Sequence, residues 1–118
     1  MVEACTTKEV KTDSRRAEIE LFCRALVARY RPVRITLFGS HASGAARQDS
    51  DVDLLVELAS VGTGLGTAAG MVREMKPRFS VDLLVRTPRQ VKKRLRMGDP
   101  FMAEVVSTGK VLYEASDR

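Results

Sequence analysis

Three aspartates stand where their carboxylates could share one site. Asp51 and Asp53 open the segment DVDLLV, and Asp82 lies in the similar segment SVDLLV. Because alternate side chains of a strand point to one face, Asp51 and Asp53 should lie side by side, about 7 Å apart. Asp82 joins them if the two similar segments form neighbouring strands in which Asp53 lies opposite Asp82.

Three carboxylates at short range repel one another unless protons or cations intervene. Hard divalent cations prefer oxygen ligands, so the arrangement favours a magnesium site. The alternative is that Asp51 ends a loop and that the other two aspartates are solvated residues of a sheet face.

A second candidate site is formed by Gly39 and Ser40, between a β-rich segment and a run of small residues. Glycine lets backbone N–H groups approach an anion closely, and a helix N-terminus with a serine hydroxyl adds donors. The pair could therefore hold phosphate, although an ordinary N-cap and tight turn has the same sequence. Arg47 is either a further phosphate contact or a surface charge.

Two other patterns are set aside. His41 follows Ser40, but the acidic residues on the strands do not complete a Ser-His-Asp arrangement, so His41 is interpreted as solvent-facing. The glycine-rich stretch at residues 61–67 lacks the third glycine of a dinucleotide-binding loop, and the chain has no P-loop. We interpret that stretch as a flexible loop.

The elements that would position these residues alternate between helix and strand. Helices are predicted over 14–30 with Ser14 as N-cap, over 67–75, over 88–96 with Pro88 first, and over 100–107 after an Asp99 cap. Strands are predicted over 33–38, 51–58 and 79–85, with a short edge strand over 110–113; residues 41–46 form a short helix or turn that stops at Gly44. The order predicts an α/β (α+β) fold, with helices on at least one face of a small sheet.

Composition restricts the class of protein. The chain has 118 residues, 44% of them hydrophobic and 30% charged, as in a single globular domain. It has no Trp and only two Tyr and four Phe, so the core must be aliphatic. Two cysteines without metal-ligand spacing exclude a structural zinc site, and no segment resembles a membrane span or signal peptide. We therefore expect a cytoplasmic protein.

The net charge of +5 is concentrated in one part of the chain, since residues 71–110 carry ten Lys or Arg against four acidic residues. Such a surface attracts nucleotides or nucleic acids, but it could equally be a solvated helix face. A function as a nucleic-acid-binding protein is disfavoured, because no aromatic residues accompany the basic segment at 86–96.

Together these motifs resemble those of the polymerase-β-like nucleotidyltransferase superfamily, especially its minimal nucleotidyltransferases. The shared pattern is Gly39-Ser40, Gly44, Asp51-x-Asp53 and a later Asp82, and it covers residues 33–86. The resemblance implies a small mixed sheet with helices packed on it. It also implies a single domain over 1–118, with a catalytic core at about 33–86, an N-terminal helix at about 14–30 and C-terminal helices at about 88–107.

The same resemblance implies a mechanism and partners. Asp51, Asp53 and Asp82 would hold two Mg²⁺ ions, and Gly39 and Ser40 would hold the phosphates of ATP or another NTP. The nucleotide would be transferred as NMP, AMP in the expected case, to a hydroxyl acceptor. Many relatives carry Arg where this chain has Ser43, so Arg47 or the basic segment would replace that charge.

A HEPN-like helical protein is the partner implied by the resemblance, with the chain acting as its antitoxin and neither nucleic acid nor membrane required. Self-association is another way to complete the acceptor site. The alternative is a non-catalytic or weakly catalytic subunit that neutralises such a partner. The apolar residues of the last helix either contact the partner or pack on the domain's own sheet; they are Phe101, Met102, Val105 and Val106.

Overall fold

A computed structural model describes residues 10–44, 50–59 and 65–115. In these ranges the chain forms five helices and four strands. In chain order they are α1 (Val10–Tyr30), β1 (Arg34–Phe38), α2 (Ser40–Ser43), β2 (Val52–Glu57), α3 (Leu65–Met75), β3 (Val81–Arg86), α4 (Pro88–Arg96), α5 (Pro100–Thr108) and β4 (Lys110–Glu114). None of the described helices is both long and apolar enough to cross a membrane.

The four strands form one mixed sheet in the order β3-β2-β1-β4. Strand β1 runs antiparallel to both of its neighbours, β2 and β4, whereas β2 and β3 run parallel. The parallel pair is joined through α3, as a parallel connection requires. The expected mixed sheet with packed helices is confirmed.

One face of the sheet carries the larger core. Alternate residues of β2, including Val52 and Leu54, point to this face and are fully buried. Helix α1 covers them with apolar side chains such as Phe22 and Leu26, and α3 adds Met71. The core is aliphatic for the most part, as the composition predicted.

The opposite face is covered by α4 and α5. Leu55 of β2 is buried there against Val91 of α4 and against Met102 and Val105 of α5. Met102 and Val105 therefore pack on the domain's own sheet, whereas Phe101 and Val106 remain exposed. Helices cover both faces, which positions the aspartates at one end of a filled sheet.

Several boundaries differ from the sequence prediction. Helix α1 begins at Val10, so the N-cap predicted at Ser14 is wrong: no Gly or Pro interrupts the segment before it. Strand β3 begins at Val81, two residues later than predicted, and Phe79 instead packs edge-on against Phe22. The loop predicted at 61–67 falls partly on residues 60–64, outside the described ranges, while α3 already begins at Leu65.

Helices α4 and α5 begin where local sequence predicts. The Thr87 side chain accepts a hydrogen bond from the Gln90 N–H, and the Gln90 side chain accepts one from the Thr87 N–H, so the two residues form a capping box before Pro88. Asp99 accepts hydrogen bonds from the N–H groups of Phe101 at 2.9 Å and Met102 at 3.3 Å. The caps fix where both helices start on the sheet.

An ion-pair cluster holds the end of the sheet farthest from the aspartates. Arg34 of β1 donates to Glu57 of β2 at 3.3 Å and to Glu114 of β4 at 2.9 Å. Burial is the main cause that raises the pKa of Glu57, and the charge of Arg34 opposes it. The cluster ties three strands together in register.

Candidate active site

Asp53 and Asp82 lie directly beside each other on the sheet. Strands β2 and β3 pair with Val52 opposite Val81 and Asp53 opposite Asp82, which is the register of the repeated sequence. Paired residues on neighbouring strands share a face, and the strands lie about 4.8 Å apart. The tertiary structure therefore brings these two carboxylates together.

Asp51 stands just outside the sheet. It precedes β2 by one residue and is exposed, so the predicted strand start at this residue is one position too early. Val52, fully buried between Asp51 and Asp53, anchors this end of β2, and its N–H donates to the Ser80 carbonyl at 2.9 Å. The alternation around Val52 directs Asp51 toward the side that Asp53 faces.

The electrostatics of Asp53 reflect this crowding. Partial burial is the largest cause that raises the pKa of its carboxyl group, followed by the negative charges of Asp82 and Asp51. The charge of His41 acts in the opposite direction. Both causes that raise the pKa disfavour the ionised form, and a bound cation would offset both.

The donor set fits Mg²⁺ by its chemistry, because all three side chains offer carboxylate oxygens. Within residues 10–44, 50–59 and 65–115, however, no three acidic, thiol or imidazole side chains already form a group that could hold a metal ion. Mutual repulsion keeps like charges apart, so the side chains of Asp51, Asp53 and Asp82 would close in when a cation binds. Each has only two side-chain torsions to adjust.

Gly39 lies against Asp53 at the end of β1. Its backbone has φ 79° and ψ −154°, a region that is essentially restricted to glycine. A Cβ added to Gly39 would run into Oδ2 of Asp53. Both the conformation and the contact therefore require glycine here, which places the Gly39-Ser40 backbone next to the carboxylates.

Helix α2 is a single turn that begins at Ser40. The Gly39 carbonyl accepts from the N–H groups of Ala42 and Ser43, both at 3.1 Å, which leaves the N–H groups of Ser40 and His41 without an acceptor inside the helix. Buried Ala42 fixes the turn to the core. These N–H groups and the Ser40 hydroxyl suit a phosphate, whereas Arg47 lies outside the described residues.

The prediction that His41 faces solvent is wrong. Its ring is half-buried, and Nε2 lies 3.1 Å from the Ser50 carbonyl oxygen, within hydrogen-bond distance. This contact links α2 to the residue just before Asp51. No local pattern signals it, because the two residues are nine positions apart and meet only when β1 and β2 pair.

Sequence reasoning also missed the aromatic side of the site. Phe38 pairs with Asp53 across β1 and β2, so both side chains lie on the same face. The ring of Phe101 in α5 packs edge-on against Phe38, with 5.8 Å between centroids and 82° between planes. The row across the sheet is therefore Asp82, Asp53 and Phe38, with Phe101 beside it.

A mixed sheet that bears paired aspartates beside a Gly-Ser turn is the framework of an enzyme that transfers nucleotidyl groups. Residues 17–111 match the family model described as a nucleotidyltransferase domain. The chain belongs to this family. The search of curated proteins finds no match.

Two solved structures share the fold. A protein of Sulfolobus solfataricus, assigned as a nucleotidyltransferase, superposes with a TM-score of 0.66 at 16% identity, over 91% of this chain and 86% of its own. A structure of a toxin-antitoxin with AMP-PNP gives a TM-score of 0.53 at 24% identity, over 82% of this chain and 74% of its own. At these identities the likeness concerns the fold.

Proposed function

We propose that this nucleotidyltransferase is a single-domain cytoplasmic enzyme that transfers AMP from ATP to a hydroxyl group of a HEPN-like helical partner protein, and so neutralises it. The observation that carries the proposal is the alignment of Asp53 with Asp82, next to the Gly39-Ser40 turn. Carboxylates for metal ions and donors for phosphates are the two parts that nucleotidyl transfer needs.

Each residue has a distinct role in this proposal. The carboxylates of Asp51, Asp53 and Asp82 would hold the Mg²⁺ ions, with Asp82 on the side of the acceptor. When bound, the ions neutralise the phosphates and lower the pKa of the attacking hydroxyl. The acceptor oxygen forms a bond to the α-phosphorus while the bond to the pyrophosphate oxygen breaks, and Asp82 favours loss of the acceptor proton to solvent.

The phosphates of ATP lie at α2. The Ser40 hydroxyl and the N–H groups of the first turn donate to the β- and γ-phosphates, which Gly39 allows to approach closely. Arg47 or the basic segment after Asp82 would supply the positive charge that Ser43 lacks. These donors hold the pyrophosphate in line with the bond that breaks.

In this proposal a partner protein supplies the acceptor. Among the described residues, α4, α5 and β4 all belong to the sheet or pack on it, and none forms a separate acceptor-binding domain. Val106 leaves apolar surface exposed on α5. The similar fold occurs in a structure of a toxin-antitoxin with AMP-PNP, which supports a partner protein and the binding of a nucleotide.

The test is transfer to the partner encoded beside this chain. The two proteins are co-expressed, purified, incubated with Mg²⁺ and α-labelled ATP, and analysed by intact-mass measurement. We expect the partner to gain one AMP with the wild-type chain and none with Asp53→Asn. A partner that co-purifies but is never modified would instead favour the neutralising subunit without catalysis, and a partner that never co-purifies would contradict both functions.

A further inference from the structure

An exposed aromatic ring stands beside the aspartates and takes no part in the chemistry described so far. Phe101 is 51% exposed, although its edge-on contact with Phe38 holds one side of the ring. Phe38 in turn lies opposite Asp53 on the same face of the sheet. The exposed ring is therefore separated from a metal-binding candidate by a single side chain.

The position of Phe101 is well defined. Its N–H donates to the Asp99 carboxylate at 2.9 Å, and the next residue, Met102, is buried between α5 and the sheet. An exposed phenyl ring that is anchored by a helix cap, a buried neighbour and a second ring loses little conformational entropy when a ligand stacks on it.

We propose that Phe101, supported by Phe38, is the platform on which the nucleobase of the substrate stacks. This inference rests on the proposed function, because it takes ATP as the ligand. Every nucleobase has a flat π-face, and exposed aromatic side chains are the groups on which bases stack in proteins.

The geometry of the site leaves the side of Phe38 and Phe101 for the nucleoside. In-line transfer places the attacking oxygen and the leaving pyrophosphate on opposite sides of the α-phosphorus. In the proposed function the pyrophosphate binds at Ser40, beyond the end of β1, and the acceptor binds near Asp82 on β3. The direction that remains for the ribose and base is over Phe38, toward the exposed ring.

The first test compares ATP with inorganic tripolyphosphate, which has the phosphates and no base. Isothermal titration in Mg²⁺ measures both for Phe101→Ala, Phe101→Tyr and the wild type. We expect Phe101→Ala to weaken ATP binding by roughly 5- to 150-fold and to leave tripolyphosphate binding unchanged, while Phe101→Tyr retains ATP binding. Leu21→Ala is the matched control, since Leu21 is 61% exposed on α1, which covers the opposite face.

The second test uses the absence of tryptophan from the chain. In Phe101→Trp the single indole should be quenched when ATP is added and unaffected by tripolyphosphate. In Leu21→Trp, the control, neither ligand should change the emission. This readout needs neither an acceptor nor turnover.

The outcomes separate this inference from the proposed function. If the wild type binds ATP and transfers AMP while Phe101→Ala binds ATP equally well, only the inference is overturned. If Phe101→Ala raises the KM for the acceptor without changing the affinity for ATP, the ring contacts the acceptor and the inference is likewise overturned. If the wild type neither binds ATP nor transfers AMP, both proposals fail together.

Discussion

Replacing Gly39 with alanine tests whether the turn after β1 is built around the Asp53 carboxylate. Two effects follow from the structure. Alanine at φ 79° and ψ −154° is strained, and the new methyl group would occupy the position of Asp53 Oδ2. The first effect acts on the stability of the fold and the second on the geometry of the site.

The two effects have different sizes. A non-glycine residue in this backbone region costs about 1–3 kcal/mol of unfolding free energy. The atom that meets the methyl group ends a short side chain, so the carboxylate rotates away and adds little to that cost. Its displacement by about 1 Å from a metal-binding position should lower the rate of transfer on the order of 100-fold.

Gly44→Ala is the matched control. Gly44 also has positive φ, at 87°, but within residues 10–44, 50–59 and 65–115, its chain neighbours aside, no atom lies within 4 Å of a Cβ added there. It should lose a similar stability, about 1–2 kcal/mol, with a much smaller loss of transfer. Urea unfolding and label transfer from α-labelled ATP measure the two quantities. Equal activity in the two variants would refute the inferred contact between Gly39 and Asp53.

Three further predictions concern single side chains. Asp53→Asn should abolish transfer at saturating Mg²⁺ and ATP. It should also stabilise the metal-free fold near neutral pH: the raised pKa of Asp53 means that the wild type loses stability as pH rises above about 4. Urea unfolding should show this gain at pH 7 and little of it below pH 3.5; a gain that is independent of pH would contradict the electrostatic cause. Ser40→Ala removes a donor to a charged group, worth about 1.5–3 kcal/mol, so the affinity for ATP should fall while the unfolding free energy stays the same. Unchanged ATP affinity would place the phosphates elsewhere. Cys23, in a Cys5→Ser background, should react with a thiol reagent at pH 8 only after unfolding, because burial and then the charge of Glu20 raise its pKa to about 11; rapid reaction of the folded protein would contradict its burial.

Local sequence carries the features that depend on neighbouring residues. The start of α4 follows from Thr87 and Pro88, and the start of α5 follows from Asp99, because a helix cap is made within four residues of the chain. Alternation along β2 separated Val52, Leu54 and Val56, which are buried on one face, from Asp53 on the other. The repeated hexapeptide even indicated the register of β2 with β3, which is unusual for a long-range contact.

The other features that join distant segments were decided by tertiary structure alone. The order β3-β2-β1-β4, the contact of His41 with Ser50 and the packing of Phe101 on Phe38 each bring together residues that no local pattern pairs. Composition and periodicity predict which faces of the helices and strands are buried, but many orders of the strands in the sheet would bury those faces equally well. The choice among these orders is made by the packing of α1 and α3 on one face and of α4 and α5 on the other, and that packing puts an aromatic ring beside the aspartates.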